Sequence, residues 1–63
     1  PAPWLIVRDA AAYCQCGPRL LYRAVASGQL RAARLGGRRD LRFRAAWLDQ
    51  WLEDSAAPVE IGR

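Results

Sequence analysis

The chain has no histidine, no lysine and no methionine, and its only thiols are two cysteines. Without histidine it lacks the most frequent general acid or base, and neither cysteine has an identifiable base to activate it. No Gly-rich phosphate loop is present. No apolar run approaches the ~18 residues that a membrane-spanning helix needs, and no charged-then-apolar signal segment opens the chain. These absences argue against an enzyme and indicate a soluble, cytoplasmic protein.

The two cysteines, Cys14 and Cys16, have no third cysteine and no histidine to complete a tetrahedral zinc site. A disulfide between such close neighbours would be strained. We therefore expect both thiols to be reduced and partly buried, and we expect no metal and no cofactor.

At 63 residues the chain is one small domain, with room for neither a second lobe nor a cofactor-binding fold. Its hydrophobic content of 52% is sufficient for a core and argues against disorder throughout. We expect a folded domain over residues 1–54 and a flexible C-terminal tail over residues 55–63. The start at Pro1 indicates a processed chain or a piece of a longer protein.

Basic charge is concentrated in the first three-quarters of the chain. All ten basic residues are arginine; residues 1–48 hold nine of them against Asp9 and Asp40, a net charge of +7, whereas residues 49–63 carry −3. Such an imbalance favours an acidic partner such as nucleic acid. The exclusive use of arginine has two explanations that stay open, coding bias and a preference for bidentate contacts to phosphate and guanine.

Helical periodicity predicts two short helices in the first half of the chain. The first is expected over residues 7–14, and the second over residues 18–27 with Pro18 in its first turn and Gly28 as terminator. The tight turn between them spans residues 15–17. The core-facing stripes carry Val7, Ala10, Ala11 and Cys14 in the first helix and Leu21, Ala24 and Val25 in the second.

Alternation of period two then predicts a β-hairpin. Ala33 and Leu35 alternate with Arg34, and beyond a Gly- and Arg-rich loop Leu41 and Phe43 alternate with Arg42. If Leu35 pairs with Leu41 across a five-residue loop, Arg34 and Arg42 face each other on the outer side.

A third helix is expected over residues 44–53. Trp47 and Trp51, and Leu48 and Leu52, form adjoining i, i+4 pairs, which predicts that these four side chains belong to the core rather than to a base-stacking surface.

This order of elements suits B-DNA. A helix with Arg19 and Arg23 on its exposed side fits the major groove, which is about 12 Å wide. A hairpin beside it can place Arg38 and Arg39 on the flanking backbone or in the minor groove.

The chain resembles the excisionase-type, MerR-like winged helix-turn-helix family over about residues 5–52. The resemblance is carried by Val7-Arg8-Asp9-Ala10-Ala11 and Tyr13, Pro18-Arg19, Leu21-Tyr22-Arg23, Ser27-Gly28-Gln29-Leu30, Ala32-Ala33-Arg34-Leu35-Gly36-Gly37-Arg38, Arg42-Phe43-Arg44 and Trp51-Leu52. It implies a mainly α fold of three short helices with a small β-hairpin, the wing, between the second and third. It also implies sequence-specific binding of double-stranded DNA.

The resemblance implies DNA-contacting roles for eight residues. Arg19, Leu20 and Arg23 match recognition-helix positions, and Tyr22 matches a position that packs and touches phosphate. The wing, residues 34–42, contributes Arg34, Arg38, Arg39 and Arg42. The chain departs from the family pattern at three places. It has Ile6 in place of a capping Thr or Ser, Gln15-Cys16-Gly17 in place of a Gly-apolar-Ser turn, and Leu20 in place of a frequent Thr.

The biological role stays open between an excisionase-like recombination directionality factor and a small transcriptional regulator, both nucleoid-associated and of bacterial or phage type. Further copies on tandem sites, a recombinase or RNA polymerase are possible partners beside DNA. The alternative from a different class is a winged-helix module that binds a protein through Tyr13, Leu20 and Tyr22.

Overall fold

The computed structural model describes residues 4–36 and 40–56. In chain order the elements are α1 (Val7–Cys14), α2 (Pro18–Ala26), β1 (Ala33–Leu35), β2 (Asp40–Arg42) and α3 (Ala45–Ser55). Three helices with a two-stranded antiparallel hairpin between the second and third form a winged helix-turn-helix, which confirms the predicted fold class.

The α1–α2 turn depends on an unusual backbone conformation at Gln15. This residue lies in the left-handed region with φ of 55°, where a side chain costs about 1 kcal/mol. The Gln15 and Cys16 amides donate to the carbonyls of Ala12 and Ala11 at 3.2 and 3.0 Å, so the end of α1 is hydrogen-bonded. Ile6, at the N-cap of α1, makes no side-chain cap, as its identity predicts.

Pro18 begins α2 and Gly28 terminates it, as expected. Gly28 has φ of 84°, a conformation that favours glycine. The helix ends at Ala26, one residue before the predicted end, and the Ser27 hydroxyl donates to the Ala24 carbonyl at 3.1 Å. The Gln29 amide also donates to Ala24, at 2.9 Å, which closes the end of the helix.

The predicted register of the hairpin is wrong by one residue. Leu35 pairs with Asp40, and Arg34 pairs with Leu41, so that four residues rather than five separate the strands. Because cross-strand partners share a face, this shift places Leu35 on the outer face and leaves Leu41 buried. Arg34 and Arg42 consequently lie on opposite faces and do not oppose each other.

A short N-terminal segment extends the hairpin. Leu5 forms an isolated antiparallel bridge with Phe43, with N–H···O distances of 2.7 and 2.8 Å between their backbones. This pairing brings the residue before it, Trp4, against the outer side of the hairpin and the start of α3. The N-terminal segment thereby becomes part of the folded unit.

The core lies where the hairpin and the three helices meet, with Phe43, Leu21 and Leu48 fully buried at its centre. Ala10, Ala11, Ala24, Leu30, Leu41 and Trp51 complete it. The predicted core role is confirmed for Leu48 and Trp51 of α3. It is wrong for Leu52, which is 39% exposed because it lies at the edge of the buried stripe, and Trp47 is half-buried.

The division into a domain over residues 1–54 and a tail over residues 55–63 stays a prediction. In the structure α3 continues to Ser55, with Ala56 at its C-cap. Residues 57–63 of the predicted tail lie outside the described residues, as do the wing-tip residues 37–39. Within the described part, no helix has the length and the apolar character that a membrane span requires.

Candidate nucleic-acid interface

The rotation of α2 is fixed by its buried side chains. Leu21 and Ala24 face the core, and Val25 packs beside them. At about 100° per residue, Arg19 and Arg23 lie on the opposite side of the helix, about 40° apart. Both arginines are exposed, and the structure therefore brings them together on one outward face, as the sequence predicts.

Leu20 and Tyr22 flank this face on its two sides. Both side chains are exposed, and the helical geometry separates them by about 160°. Tyr22 lies on the side nearer the hairpin, where it borders a depression that Leu41 and Arg42 also line. We call Arg19, Leu20, Tyr22 and Arg23 the α2 face.

The start of α2 adds a favourable site for negative charge. Gly17 supplies no side-chain cap and Pro18 has no amide hydrogen, so the first turn presents backbone dipoles without an acidic side chain. Arg19 lies in the same turn and is exposed. Anionic groups such as phosphate are stabilised by this combination of helix dipole and guanidinium.

The wing arginines differ in their surroundings. Arg34 is exposed, whereas Arg42 is half-buried and donates to the Asp40 carboxylate at 2.7 Å and to the Leu41 carbonyl at 2.9 Å. Asp40 and Arg42 are two residues apart on one strand, so their side chains share a face. The charge of Arg42 is thereby largely balanced. Arg38 and Arg39 lie outside the described residues.

One residue near the site was missed by the sequence reasoning. Arg8 in the first turn of α1 has an 85% exposed side chain, with only a long 3.8 Å ion-pair contact to Asp9. It lines the same depression as Tyr22 and Arg42, whose volume is about 310 Å³. A basic residue at a helix N-terminus goes against the helix dipole, and this was the available signal that Arg8 serves another purpose.

Two further arginines are engaged with aromatic rings rather than with acids. The Arg31 guanidinium lies 4.8 Å from the centre of the Trp47 ring, and that of Arg44 lies 4.7 Å from the centre of the Trp4 ring. Both contacts have cation–π geometry. The sequence reasoning gave neither residue a role, because the pairing of Trp4 with this region is not visible in the periodicity.

Cys14 and Cys16 are unbridged and half-buried, as predicted. Burial is the main cause that raises the pKa of the Cys14 thiol above its ordinary value, with smaller contributions from Cys16 and Asp49. A raised thiol pKa disfavours the reactive thiolate. Among the described residues, no three potential metal ligands lie together.

Of three comparisons with known proteins, one finds a match. Comparisons with curated proteins and with solved structures find no match. A family model described as a helix-turn-helix domain matches residues 4–56, which include every helix and both strands of the hairpin. The match covers most of the chain, and in the structure α1, the turn and α2 follow one another as in a helix-turn-helix. We conclude that this protein belongs to the helix-turn-helix domain family of small DNA-binding domains.

Proposed function

We propose that this domain binds double-stranded DNA sequence-specifically, with α2 in the major groove and the wing on the flanking backbone or minor groove. The observation that carries the proposal is the α2 face, where two exposed arginines project from a helix whose opposite side is buried. A helix of this size fits the major groove, where arginine makes its commonest specific contact with guanine O6 and N7. The proposed role requires no catalytic step.

Each member of the α2 face has a proposed partner. Arg19 and Arg23 contact guanine edges or phosphates, and Leu20 contacts a thymine methyl group. Tyr22 lies toward the hairpin and contacts phosphate. Among residues that the sequence did not nominate, Arg8 is a further candidate for a backbone contact because it is exposed beside Tyr22.

In the wing we propose contacts from Arg34, Arg38 and Arg39 to the backbone or the minor groove, whose negative potential attracts guanidinium groups. We assign Arg42 a smaller direct contribution than the exposed arginines. Its pairing with Asp40 balances its charge. A partly balanced cation releases fewer counterions when it approaches phosphate.

The biological role that we propose is that of an excisionase-type recombination directionality factor or a small transcriptional regulator, in either case on the nucleoid. A domain of this size offers few base contacts, so useful specificity requires tandem or repeated sites. Further copies of the chain, a recombinase or RNA polymerase are therefore the proposed protein partners. The excisionase role would bend DNA across adjacent sites, and the regulator role would occupy promoter sites.

The alternative of a purely protein-binding module has less support. Its proposed contact residues were Tyr13, Leu20 and Tyr22. Tyr13 lies on α1 and donates to Asp49 of α3 at 2.6 Å, and Leu20 and Tyr22 lie on opposite flanks of α2. The three side chains therefore do not form one continuous surface.

Fluorescence anisotropy with a random-sequence duplex tests DNA binding through the α2 face. For about four phosphate contacts, the affinity of the wild type should fall about 100-fold between about 50 and about 200 mM salt. The double variant Arg19→Ala, Arg23→Ala should lose at least about tenfold in affinity at the lower salt and show a shallower salt dependence.

The matched control is Arg31→Ala, Arg44→Ala, which also removes two exposed arginines but outside the α2 face and should change the affinity less. Circular dichroism checks that each variant is folded. An unchanged affinity in the folded double variant would contradict the proposed α2 contacts. Binding to a partner protein that is insensitive to salt, with no DNA binding at low salt, would favour the protein-binding module.

A further inference from the structure

Two tryptophans and two arginines form a continuous cluster beside the hairpin. The Trp4 and Trp47 ring centroids are 5.6 Å apart with an interplanar angle of 77°, an edge-to-face contact. Arg44 stacks on Trp4 and Arg31 stacks on Trp47, which places a guanidinium at each end of the aromatic pair. A guanidinium that lies over a ring and is not paired with an acid still has N–H groups available for a carboxylate.

An apolar groove adjoins this cluster. It has a volume of about 310 Å³ and is lined by Trp4, Ala33, Leu35 and Arg42. Trp4 is 42% exposed and Leu35 is 45% exposed, so two large apolar side chains lie in contact with solvent at one place. We call the groove, Trp47 and the two stacked cations Arg31 and Arg44 the aromatic groove.

The positive charges of Arg31 and Arg44 are not balanced by an ion pair within the described part of the chain. The ion pairs in that part are Arg8–Asp9 and Arg42–Asp40, and neither involves Arg31 or Arg44. DNA supplies negative charge but has no aliphatic side chain to fill an apolar groove. A protein surface that combines carboxylates with one protruding apolar side chain matches both features.

Such a surface is present on α3 of the same chain. Leu52 is 39% exposed, and Asp49 and Glu53 are exposed at positions i−3 and i+1 relative to it. Asp49 already accepts a hydrogen bond from the Tyr13 hydroxyl at 2.6 Å through one oxygen, so Glu53 supplies the main charge of this surface. Measured around the helix from Trp47 at about 100° per residue, these three residues lie at about 140° to 240°. We call Asp49, Leu52 and Glu53 the acidic face; it is on the side of α3 opposite Trp47.

We propose that the aromatic groove of one copy receives the acidic face of a second copy, with Leu52 in the groove and the carboxylates against Arg31 and Arg44. Because the two surfaces lie on opposite sides of α3, each copy uses one surface for each neighbour. The contact is therefore heterologous and head-to-tail, and it can continue along a row of copies. A row of copies suits the tandem sites of the proposed function, although the contact itself needs no DNA.

Sedimentation equilibrium without DNA tests the contact independently of DNA binding. The wild type should show an average mass that rises with concentration up to about 1 mM, since small interfaces of this kind are weak. Glu53→Arg and Arg44→Glu should each raise the dissociation constant at least about tenfold. The two changes combined in one chain should restore association, because the reversed charges then face each other across the contact.

A mixture of the neutral variants Arg44→Ala and Glu53→Ala distinguishes head-to-tail association from other modes. The Arg44→Ala copy keeps an intact acidic face and the Glu53→Ala copy keeps an intact aromatic groove, so the mixture should form dimers and stop there. Asp9→Arg is the matched control, because Asp9 lies in the first turn of α1, outside both the acidic face and the aromatic groove, and makes only a long 3.8 Å contact to Arg8. This control should associate like the wild type.

Three results would overturn the proposal. The first is a wild type that stays monomeric at about 1 mM, a concentration that detects contacts of about −4 kcal/mol. The second is a pair of single variants that associate as the wild type does. The third is a loss of single-site DNA affinity in Arg31→Ala or Arg44→Ala without any change in self-association, which would assign the aromatic groove to DNA. Loss of DNA binding alone would contradict the proposed function and leave this contact standing.

Discussion

The arginines of the α2 face and those around the hairpin have the same charge but different surroundings. Arg19 and Arg23 project from the exposed side of a helix, and neither belongs to an ion pair or a cation–π contact among the described residues. Arg42 is paired with Asp40, and Arg31 and Arg44 are stacked on tryptophans. A net charge of +4 therefore does not describe one uniform DNA-binding surface. We call Arg19 and Arg23 free arginines, and Arg31, Arg42 and Arg44 engaged arginines. Free arginines are available for phosphate, whereas engaged arginines stabilise the fold or contact protein.

Removing the two stacked arginines, Arg31 and Arg44, should lower the stability of the fold more than it lowers DNA affinity. Cation–π contacts at exposed sites contribute about 0.5–1 kcal/mol each, so Arg31→Ala, Arg44→Ala should lower the free energy of unfolding by about 1–2 kcal/mol. Urea denaturation followed by tryptophan fluorescence measures this loss. The affinity for a single DNA site should change less than in Arg19→Ala, Arg23→Ala.

Comparing Arg31→Ala, Arg44→Ala with Arg19→Ala, Arg23→Ala tests the division between free and engaged arginines directly. Each pair removes two positive charges, so any general effect of net charge on DNA affinity is the same in both. If the two variants lose DNA affinity equally while both remain folded, position on the fold is irrelevant and the division between free and engaged arginines is wrong.

The positions that sequence periodicity predicted well are those where one face of a helix is buried. Leu21 and Ala24 fix the rotation of α2, and this alone places Arg19 and Arg23 outward. The start of α2 at Pro18 likewise follows from local backbone preference.

The hairpin register could not be predicted in this way. Its strands have three residues each, and alternating apolar residues fit two registers equally well. In the observed register Ala33 and Leu35 line the outer groove together with Trp4, so the outer face also has an apolar neighbour. Trp4 reaches that position through a bridge between Leu5 and Phe43, a contact between segments distant in sequence. Long-range packing of this kind leaves no local periodic signal, and the aromatic groove was missed for the same reason.

Asp40→Asn should release Arg42 from its ion pair and so make it a free arginine. The substitution removes the carboxylate that accepts from Arg42 at 2.7 Å and also removes a negative charge beside the proposed DNA surface. We expect affinity for a DNA duplex to rise about threefold, which corresponds to ~0.7 kcal/mol for a partly exposed pair. Anisotropy at low salt measures the change.

The control for this substitution is the pair Asp40→Asn, Arg42→Ala, in which no arginine is released. It should lose most of the gain in affinity that Asp40→Asn alone produces. If the gain persists in the double variant, the effect comes from the lost negative charge and Arg42 makes no contact with DNA.

The smallest effect on stability is expected when the hydrogen bond from Tyr13 to Asp49 is removed. The Tyr13 hydroxyl donates to it at 2.6 Å and links α1 to α3, and this hydrogen bond is the main cause that raises the Tyr13 pKa above its ordinary value of 10.0. A group whose pKa is raised by folding stabilises the fold fully below its unfolded pKa, and this stabilisation is lost as the pH rises through its folded pKa. Tyr13→Phe should therefore be slightly less stable than the wild type at neutral pH, and the difference should disappear above about pH 10. Urea denaturation of both proteins between pH 7 and the alkaline range measures this stability difference. A difference that stays constant with pH would show that the Tyr13–Asp49 hydrogen bond is not its source.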